Sequence, residues 1–245
     1  MLAWMIADSA LGLLNPLMPQ AELNHFFNQP GTFELGAGDL MPFATQTNVF
    51  RDYNAEVAAL QNGVGTGVGA VLYDPEHWQF TPLEQQKQPA LYEGLAAQRA
   101  HAASLMAIES PALDLLANSG AKGPLWRQYL ENDYAGEAAA NADVVEIQAQ
   151  SLELNPQQYM TFVEEAVAQA RAANPSVDVI AGLSTYDSQG PVTSTELYHD
   201  AVGVIGVVNG FWLNVPGVSP SNPGVTAARA VSERIESWEG FPNRL

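Results

Sequence analysis

The 245-residue sequence contains no cysteine. Disulfide bonds, thiolate metal sites and cysteine nucleophiles are therefore excluded, and the redox compartment is left open. Basic residues are scarce as well: nine lysines and arginines stand against 27 acidic residues, which gives a formal net charge of −18. Such a surface repels phosphate backbones and anionic lipid, so neither nucleic acid nor a membrane is expected as a partner.

Long hydrophobic runs are also lacking, since none approaches the roughly 18 uninterrupted apolar residues of a membrane span. The most apolar stretch, residues 1–17, contains Asp8 and has neither a basic beginning nor a small-residue cleavage site. We interpret it as a core strand and not as a signal peptide. The pattern is typical of a soluble protein, either cytoplasmic or secreted after removal of a preceding signal, and it leaves the oligomeric state open.

The composition that remains is that of a folded chain. Hydrophobic residues make up 47% of the sequence and charged residues only 15%. A chain of this length and composition can bury a large apolar core, and one domain is the usual organisation at this size. We therefore expect a single domain over residues 1–245.

Short apolar segments recur with centres about 30 to 40 residues apart, the length of a strand with its crossover helix and loops. The seven predicted strands are Ala3 to Ala7, Phe33 to Leu35, Val68 to Tyr73, Ser104 to Ile108, Val144 to Ile147, Val177 to Leu183 and Val207 to Leu213. An eighth strand is either weakly marked near Gln46 to Phe50 or missing. This rhythm predicts an α/β fold of the (β/α)8 TIM-barrel type, with one irregular or absent strand.

The clearest helix is predicted between two of these strands, over Pro156 to Ala173. Asn155 is placed to cap it, and proline is favoured in the first turn of a helix. An open Rossmann sheet is the rival fold for such a βα rhythm. No G-x-G-x-x-G turn follows a strand, however, because the glycines at 63, 65 and 67 precede one.

Polar residues follow the apolar segments at the points where the predicted strands end. Asp74 and Glu76 close one strand two residues apart, so both side chains share a face if the strand continues. Barrel active sites are assembled at these carboxyl-terminal ends. A neighbouring charge can hold one carboxyl of such a pair protonated near neutral pH while the other is ionised. We therefore predict Asp74 and Glu76 as the catalytic residues.

Further strand ends supply candidate ligand contacts. The predicted substrate-binding residues are Asp8, Tyr73, Glu109, Gln148, Gln150, Trp212 and Asn214. The two glutamines cannot act as bases, but their amides can orient a hydroxyl or an amide of a ligand. Trp212 can supply an apolar floor for a sugar ring. The alternative role is hydrogen bonding to buried backbone for the two glutamines, core packing for Trp212, and a surface or loop position for Glu109.

No cofactor and no metal site are predicted. The four histidines, at 25, 77, 101 and 199, lack the spacing of a zinc site. A hard cation held by Asp74, Glu76 and Asp8 is chemically possible, and nothing in their spacing requires it. The absence of a G-x-S-x-G elbow argues against an α/β hydrolase.

The segment from Gly69 to Glu76, GAVLYDPE, resembles the D-x-x-D-x-D-x-E strand of chitinase-type glycoside hydrolases in its final D-x-E. Gln148-Ala149-Gln150 and Gly210-Phe211-Trp212 are similar to two later strand motifs of that family. The resemblance implies a TIM barrel in which Glu76 protonates the leaving oxygen and Asp74 assists. Gly69 and Leu72 occupy the two earlier Asp positions, and Gln150 stands where the family has a tyrosine that assists the substrate acetamido group.

These patterns favour a carbohydrate-active hydrolase that acts on a glycan or small-molecule ligand. Two alternatives remain open at this point. One is a non-catalytic barrel that binds a glycan or small molecule, because the residues that replace the family's acids are typical of a degenerate site. The other is a lyase, cyclase or isomerase that uses Glu76 or Asp74 for proton transfer to a small hydrophobic substrate.

Overall fold

A computed structural model describes residues 2–36, 38, 40–118, 122–187, 190–216 and 223–236 of the chain. The strands are β1 (Ala3–Ala7), β2 (Thr32–Leu35), β3 (Thr45–Phe50), β4 (Val68–Tyr73), β5 (Met106–Glu109), β6 (Val144–Ile147), β7 (Asp178–Ser184), β8 (Tyr186–Asp187), β9 (Gly190–Pro191) and β10 (Gly210–Asn214). The helices are α1 (Asp8–Leu14), α2 (Gln20–Phe27), α3 (Tyr53–Asn62), α4 (Leu83–Lys87), α5 (Pro89–Ala102), α6 (Leu125–Glu131), α7 (Tyr134–Ala139), α8 (Pro156–Ala173), α9 (Ser194–Val204) and α10 (Pro223–Glu236), with a 3-10 helix at Leu113–Asn118.

The strands β1 to β7 and β10 form a closed barrel in the order β1-β10-β7-β6-β5-β4-β3-β2, and β8 pairs with β9 in a small antiparallel sheet. The predicted TIM-barrel fold is confirmed. The eighth strand is β3, which occupies the weakly marked segment near Gln46 to Phe50. Its sequence, TQTNVF, is mostly polar and half-buried, which explains why hydrophobicity marks it poorly.

The chain forms two compact units, one made of Met1–Thr45, Ala149–Thr161 and Ile180–Leu245 and the other of Gln46–Gln148 and Phe162–Val179. In the first unit β1 lies between β2 and β10, and Met5 pairs with both Phe33 and Trp212 in parallel register. The three central residues of β1, Trp4 to Ile6, are buried. Such near-continuous apolar strands are typical of a parallel sheet that helices cover.

In the second unit β3, β4, β5 and β6 are parallel neighbours. The helix α5 packs on this sheet through Ala97 and Ala100, which form a buried cluster with Val71 of β4 and Ala107 of β5. The small side chains allow the helix backbone to approach the strands closely. This packing fixes the carboxyl ends of β4 and β5, where the candidate site begins.

The predicted helix over Pro156 to Ala173 is confirmed as α8, with the same bounds. The side-chain oxygen of Asn155 accepts a hydrogen bond from the backbone N–H of Gln158 at 3.3 Å, as expected of an N-cap. Among the described residues, no helix is both long enough and apolar enough to cross a membrane.

Candidate active site

Asp74 and Glu76 lie directly after β4 in the second unit. The backbone N–H of Asp74 donates to the carbonyl of Phe50 at 2.8 Å, which continues the ladder between β3 and β4 by one residue. The backbone N–H of Glu76 then donates to Thr81 Oγ1 at 3.2 Å. Asp74 is 1% exposed and Glu76 is half-buried. The strand end therefore holds one sealed carboxyl and one that solvent can reach.

Hydrogen bonds connect Asp74 to the neighbouring strands. Gln148 Nε2 donates to Asp74 Oδ1 at 2.8 Å and lies 3.0 Å from Ser110 Oγ. Ser110 Oγ in turn donates to Glu146 Oε2 at 2.7 Å. A serine hydroxyl has a single proton, so Ser110 can serve Asp74 only when it turns away from Glu146. The structure therefore brings Gln148 together with Asp74, as their strand-end positions predict.

A cation completes the surroundings of Asp74. Arg51, the residue that follows β3, places its Nε 3.7 Å from Asp74 Oδ2. Its guanidinium carbon lies 5.0 Å from the ring centroid of Trp78, within the range of a cation–π contact. The Arg51 side chain is 42% exposed whereas that of Asp74 is 2% exposed, so solvent partly screens the ion pair.

Both carboxyls bind their protons more tightly than usual. Burial raises the pKa of Asp74 to about 6, although the Arg51 charge and the neighbouring donors Ser110 and Gln148 oppose the rise. Burial and the charges of Asp74 and Asp114 raise the pKa of Glu76 to about 7. Asp114 is fixed nearby, because its Oδ1 accepts the backbone N–H of His77 at 2.9 Å. The raised pKa of Glu76 favours a protonated Glu76 near neutral pH, and the charge of Arg51 favours the ionised form of Asp74.

Four residues of this site do not appear among the residues predicted from the sequence: Arg51, Ser110, Glu146 and Asp114. Arg51 and Ser110 are each the first residue after a strand, the position that singled out Asp74. Glu146 lies two residues before Gln148 on the same face. The strand-end rule, applied to β3 and β5, would have found two of them. Asp114 lies in a 3-10 helix and carries no comparable signal in the sequence.

Tyr73 and Glu109 are predicted substrate-binding residues that the structure does not bring together with Asp74. The Tyr73 hydroxyl donates to Gln85 Oε1 of α4 at 2.9 Å, which places it on the side of the sheet that the helices cover. Glu109 pairs with Tyr73 in the register of β4 and β5. The physical reason is alternation along a strand: residues 73 and 74 must face opposite sides.

Glu109 belongs instead to a buried group of three carboxyls, which we term the outer acid cluster: Glu56 of α3, Glu93 of α5 and Glu109 of β5. Each of them is at most 2% exposed. Burial raises the pKa of Glu56 to about 7 and, with the Glu137 charge, that of Glu93 to about 8. The pKa of Glu109 is raised well above its usual range by burial and by the charges of Glu93 and Glu56.

The remaining predicted contacts lie in the first unit. Gln150 packs against Gly182, where an added Cβ would stand 2.5 Å from the Gln150 side-chain carbon. The indole Nε1 of Trp212 is buried, and the described residues offer it no hydrogen-bond partner. Asn214 ends β10, and its carbonyl accepts the backbone N–H of Thr185 at 3.0 Å. Asp8 begins α1, and its Oδ2 accepts the backbone N–H of Gly38 at 2.7 Å.

Histidine and carboxylate side chains are the groups of this chain that could form a metal centre. Within the described ranges, no three of them are grouped so that they could hold a metal ion. The alternative of a hard cation held by Asp74, Glu76 and Asp8 therefore has no geometric support.

The sequence matches no family model and no curated protein. Solved structures with a similar fold include a chitinase from Chromobacterium violaceum, with 12% identity, a TM-score of 0.52 and coverage of 94% of this chain and 99% of that one. A sugar phosphate isomerase/epimerase from Parabacteroides distasonis has 10% identity and a TM-score of 0.52, with 95% and 92% covered. The PgaB (BpsB) glycoside hydrolase domain from Bordetella bronchiseptica has 8% identity and a TM-score of 0.52, with 94% and 98% covered. These similarities show the TIM-barrel fold.

Proposed function

We propose that the protein is a carbohydrate-active hydrolase in which Glu76 is the general acid and Asp74 its ionised partner. The observation that carries the proposal is the difference between the two carboxyls at the end of β4. Glu76 is half-buried with a pKa of about 7, and Asp74 is sealed with a pKa of about 6. A protonated acid beside a carboxylate is what glycoside hydrolysis requires.

In the proposed reaction Glu76 donates its proton to the glycosidic oxygen as the bond to the anomeric carbon breaks. The ring then gains positive charge, which the carboxylate of Asp74 stabilises electrostatically, and a water molecule adds to the anomeric carbon while its proton passes to the Glu76 carboxylate. Gln148 keeps Asp74 in place through its 2.8 Å hydrogen bond and is available to a ligand hydroxyl. We also propose four of the predicted residues as ligand contacts, namely Asp8, Gln150, Trp212 and Asn214.

The carbohydrate class of the substrate is supported by two facts. The motif Asp74-Pro75-Glu76 resembles the end of the chitinase-type catalytic strand. The solved structures that share the barrel include ones named as a chitinase and as a glycoside hydrolase domain. The class, and with it the particular glycan, is the part of the proposal that an assay must decide.

The test is a turnover assay of the purified protein on defined oligosaccharides, namely N-acetylglucosamine oligomers, their deacetylated forms and β-1,3- and β-1,4-glucans. Products are read by mass spectrometry. Glu76→Gln is expected to lower kcat by about 100-fold to 10,000-fold, the usual contribution of general acid catalysis, with little change in ligand affinity. Glu84→Gln, a change at an exposed glutamate of α4, is the control and should keep the wild-type rate. An undiminished rate in Glu76→Gln would rule out the role.

A non-catalytic glycan-binding barrel is the second candidate. It is favoured by Gly69 and Leu72, which stand where the resembling family has two further acids. Binding of an oligosaccharide by wild-type protein, measured calorimetrically, without any product after prolonged incubation would support this candidate over the hydrolase.

A further inference from the structure

Arg51 forms an ion pair with one of the two carboxyls of the candidate active site and acts on the other through its charge. Its Nε lies 3.7 Å from Asp74 Oδ2, so its ion pair is with the buried member of the pair. The same charge lowers the pKa of both Asp74 and Glu76. Because a charge acts most strongly at short range, Asp74 is the carboxyl that Arg51 favours in its ionised form.

The position of the guanidinium is fixed by an aromatic ring. Arg51 lies over Trp78 at 5.0 Å, and Trp78 Nε1 donates to Thr81 Oγ1 at 3.2 Å. The same Thr81 oxygen accepts the backbone N–H of Glu76 at 3.2 Å. Thr81 therefore ties the ring that carries Arg51 to the backbone of the proposed acid.

The other groups near the pair are acidic residues, neutral donors and one exposed histidine. Asp114, from the 3-10 helix after β5, raises the pKa of Asp74 and of Glu76. Gln148 and Ser110, from the ends of β6 and β5, are uncharged donors, and Ser110 Oγ links the pair to the buried Glu146 of β6. His77 has an exposed side chain and meets Asp114 through its backbone.

We propose that Arg51 is a positioning residue that assigns the proton of the carboxyl pair to Glu76 by pairing with Asp74. The importance of this role for catalysis rests on the proposed function. Which of the two carboxyls is protonated can be measured without a substrate. Without the cation, Asp74 would be a buried carboxyl whose charge only neutral donors stabilise. It would then compete with Glu76 for the proton, and the half-buried Glu76 would no longer be the carboxyl that is protonated first.

The test is a pH titration of side-chain carboxyl carbons by NMR, on protein labelled with ¹³C in aspartate and glutamate. Asp74→Asn and Glu76→Gln identify the two resonances. In wild-type protein, the first proton taken up as the pH falls should appear on Glu76. In Arg51→Gln the midpoint of Asp74 should rise by about one pH unit or more and that of Glu76 by less, since an adjacent opposite charge is lost.

Two further variants make the result specific. Arg127 of α6 stacks over Trp126 at 4.9 Å, so Arg127→Gln removes one stacked, exposed arginine with the same change of net charge. It should leave both midpoints unchanged. Arg51→Lys keeps the charge and loses the planar group that stacks on Trp78, so the Asp74 midpoint should rise less than in Arg51→Gln. An unchanged Asp74 midpoint in Arg51→Gln, or an equal or larger rise at Glu76, overturns the proposal.

The failure of this inference can be told apart from a failure of the proposed function. If wild-type protein turns over no glycan, the hydrolase proposal fails and the NMR midpoints still decide the role of Arg51. If turnover is found and depends on Glu76, the pH–rate profile of Arg51→Gln adds a second readout. The profile should broaden or lose its maximum between about pH 6 and 7, because the proton is no longer reserved for Glu76.

Discussion

Glu93→Gln in the outer acid cluster should change how the stability of the protein depends on pH. Glu93 is 2% exposed, and its pKa is raised from 4.5 to about 8. The folded state therefore keeps this proton over a pH range in which the unfolded chain has released it. The contribution of Glu93 to the free energy of unfolding is therefore fully present below pH 4.5 and is lost as the pH rises towards about 8.

The slope that Glu93 contributes is about 1.4 kcal/mol per pH unit, the energy equivalent of one proton. The glutamine at position 93 cannot titrate. The free energy of unfolding of the variant should therefore fall less steeply with pH than that of wild type, with slopes that differ by about 1.4 kcal/mol per pH unit between pH 5 and 8. At pH 5 the wild-type carboxyl is neutral, and Glu93 Oε1 has no hydrogen-bond partner among the described residues, so a buried amide with an unpaired group makes the variant less stable by roughly 1 to 3 kcal/mol. The two curves should therefore cross as the pH rises.

The assay is urea unfolding at half-unit steps from pH 5 to 8, with the free energy extrapolated to water at each pH. Glu131→Gln, at an exposed glutamate of α6, is the matched control and should run parallel to wild type. Parallel curves for Glu93→Gln and wild type would refute the reasoning, because they would mean that Glu93 takes up no proton on folding in this range.

Three further substitutions test the candidate site and the hydrogen bonds of the surrounding fold. Asp74→Asn removes a charge that raises the pKa of Glu76, so the NMR midpoint of Glu76 should fall, and a rise would contradict the coupling. Tyr73→Phe removes the 2.9 Å hydrogen bond to Gln85 and should cost about 1 kcal/mol in urea unfolding with kcat and KM unchanged; a large loss of turnover would place Tyr73 in the site after all. Thr193→Ala breaks the capping box of α9 with Glu196 and should lower the unfolding free energy by about 1 kcal/mol, so an unaltered value would refute the cap.

The fold was predictable from the sequence wherever a buried strand or helix has a recognisable pattern of apolar residues. The strands β1, β4 and β6 and the helix α8 have the bounds that their apolar patterns predict. The strand β3 escaped firm prediction because barrel closure, and not its own hydrophobicity, holds TQTNVF in place. Propensity is a weak guide where tertiary pairing decides the structure.

The candidate site was predictable to a smaller extent. The strand-end rule finds Asp74, Glu76 and Gln148, because the fold alone dictates where strand ends lie. It misplaces Tyr73, since being one residue from a catalytic position puts a side chain on the opposite face. Arg51 was missed because its significance depends on β3, the one strand that the sequence marks poorly.

The most direct test of Glu76 as the general acid compares two kinds of substrate for whichever glycan the protein accepts. Leaving groups that are poor without protonation need the acid, whereas a 2,4-dinitrophenyl glycoside of the same sugar does not. Glu76→Gln should therefore lose about 100-fold or more in kcat/KM on the natural linkage and little on the activated one. Equal losses on both substrates, or none on either, would contradict proton donation by Glu76.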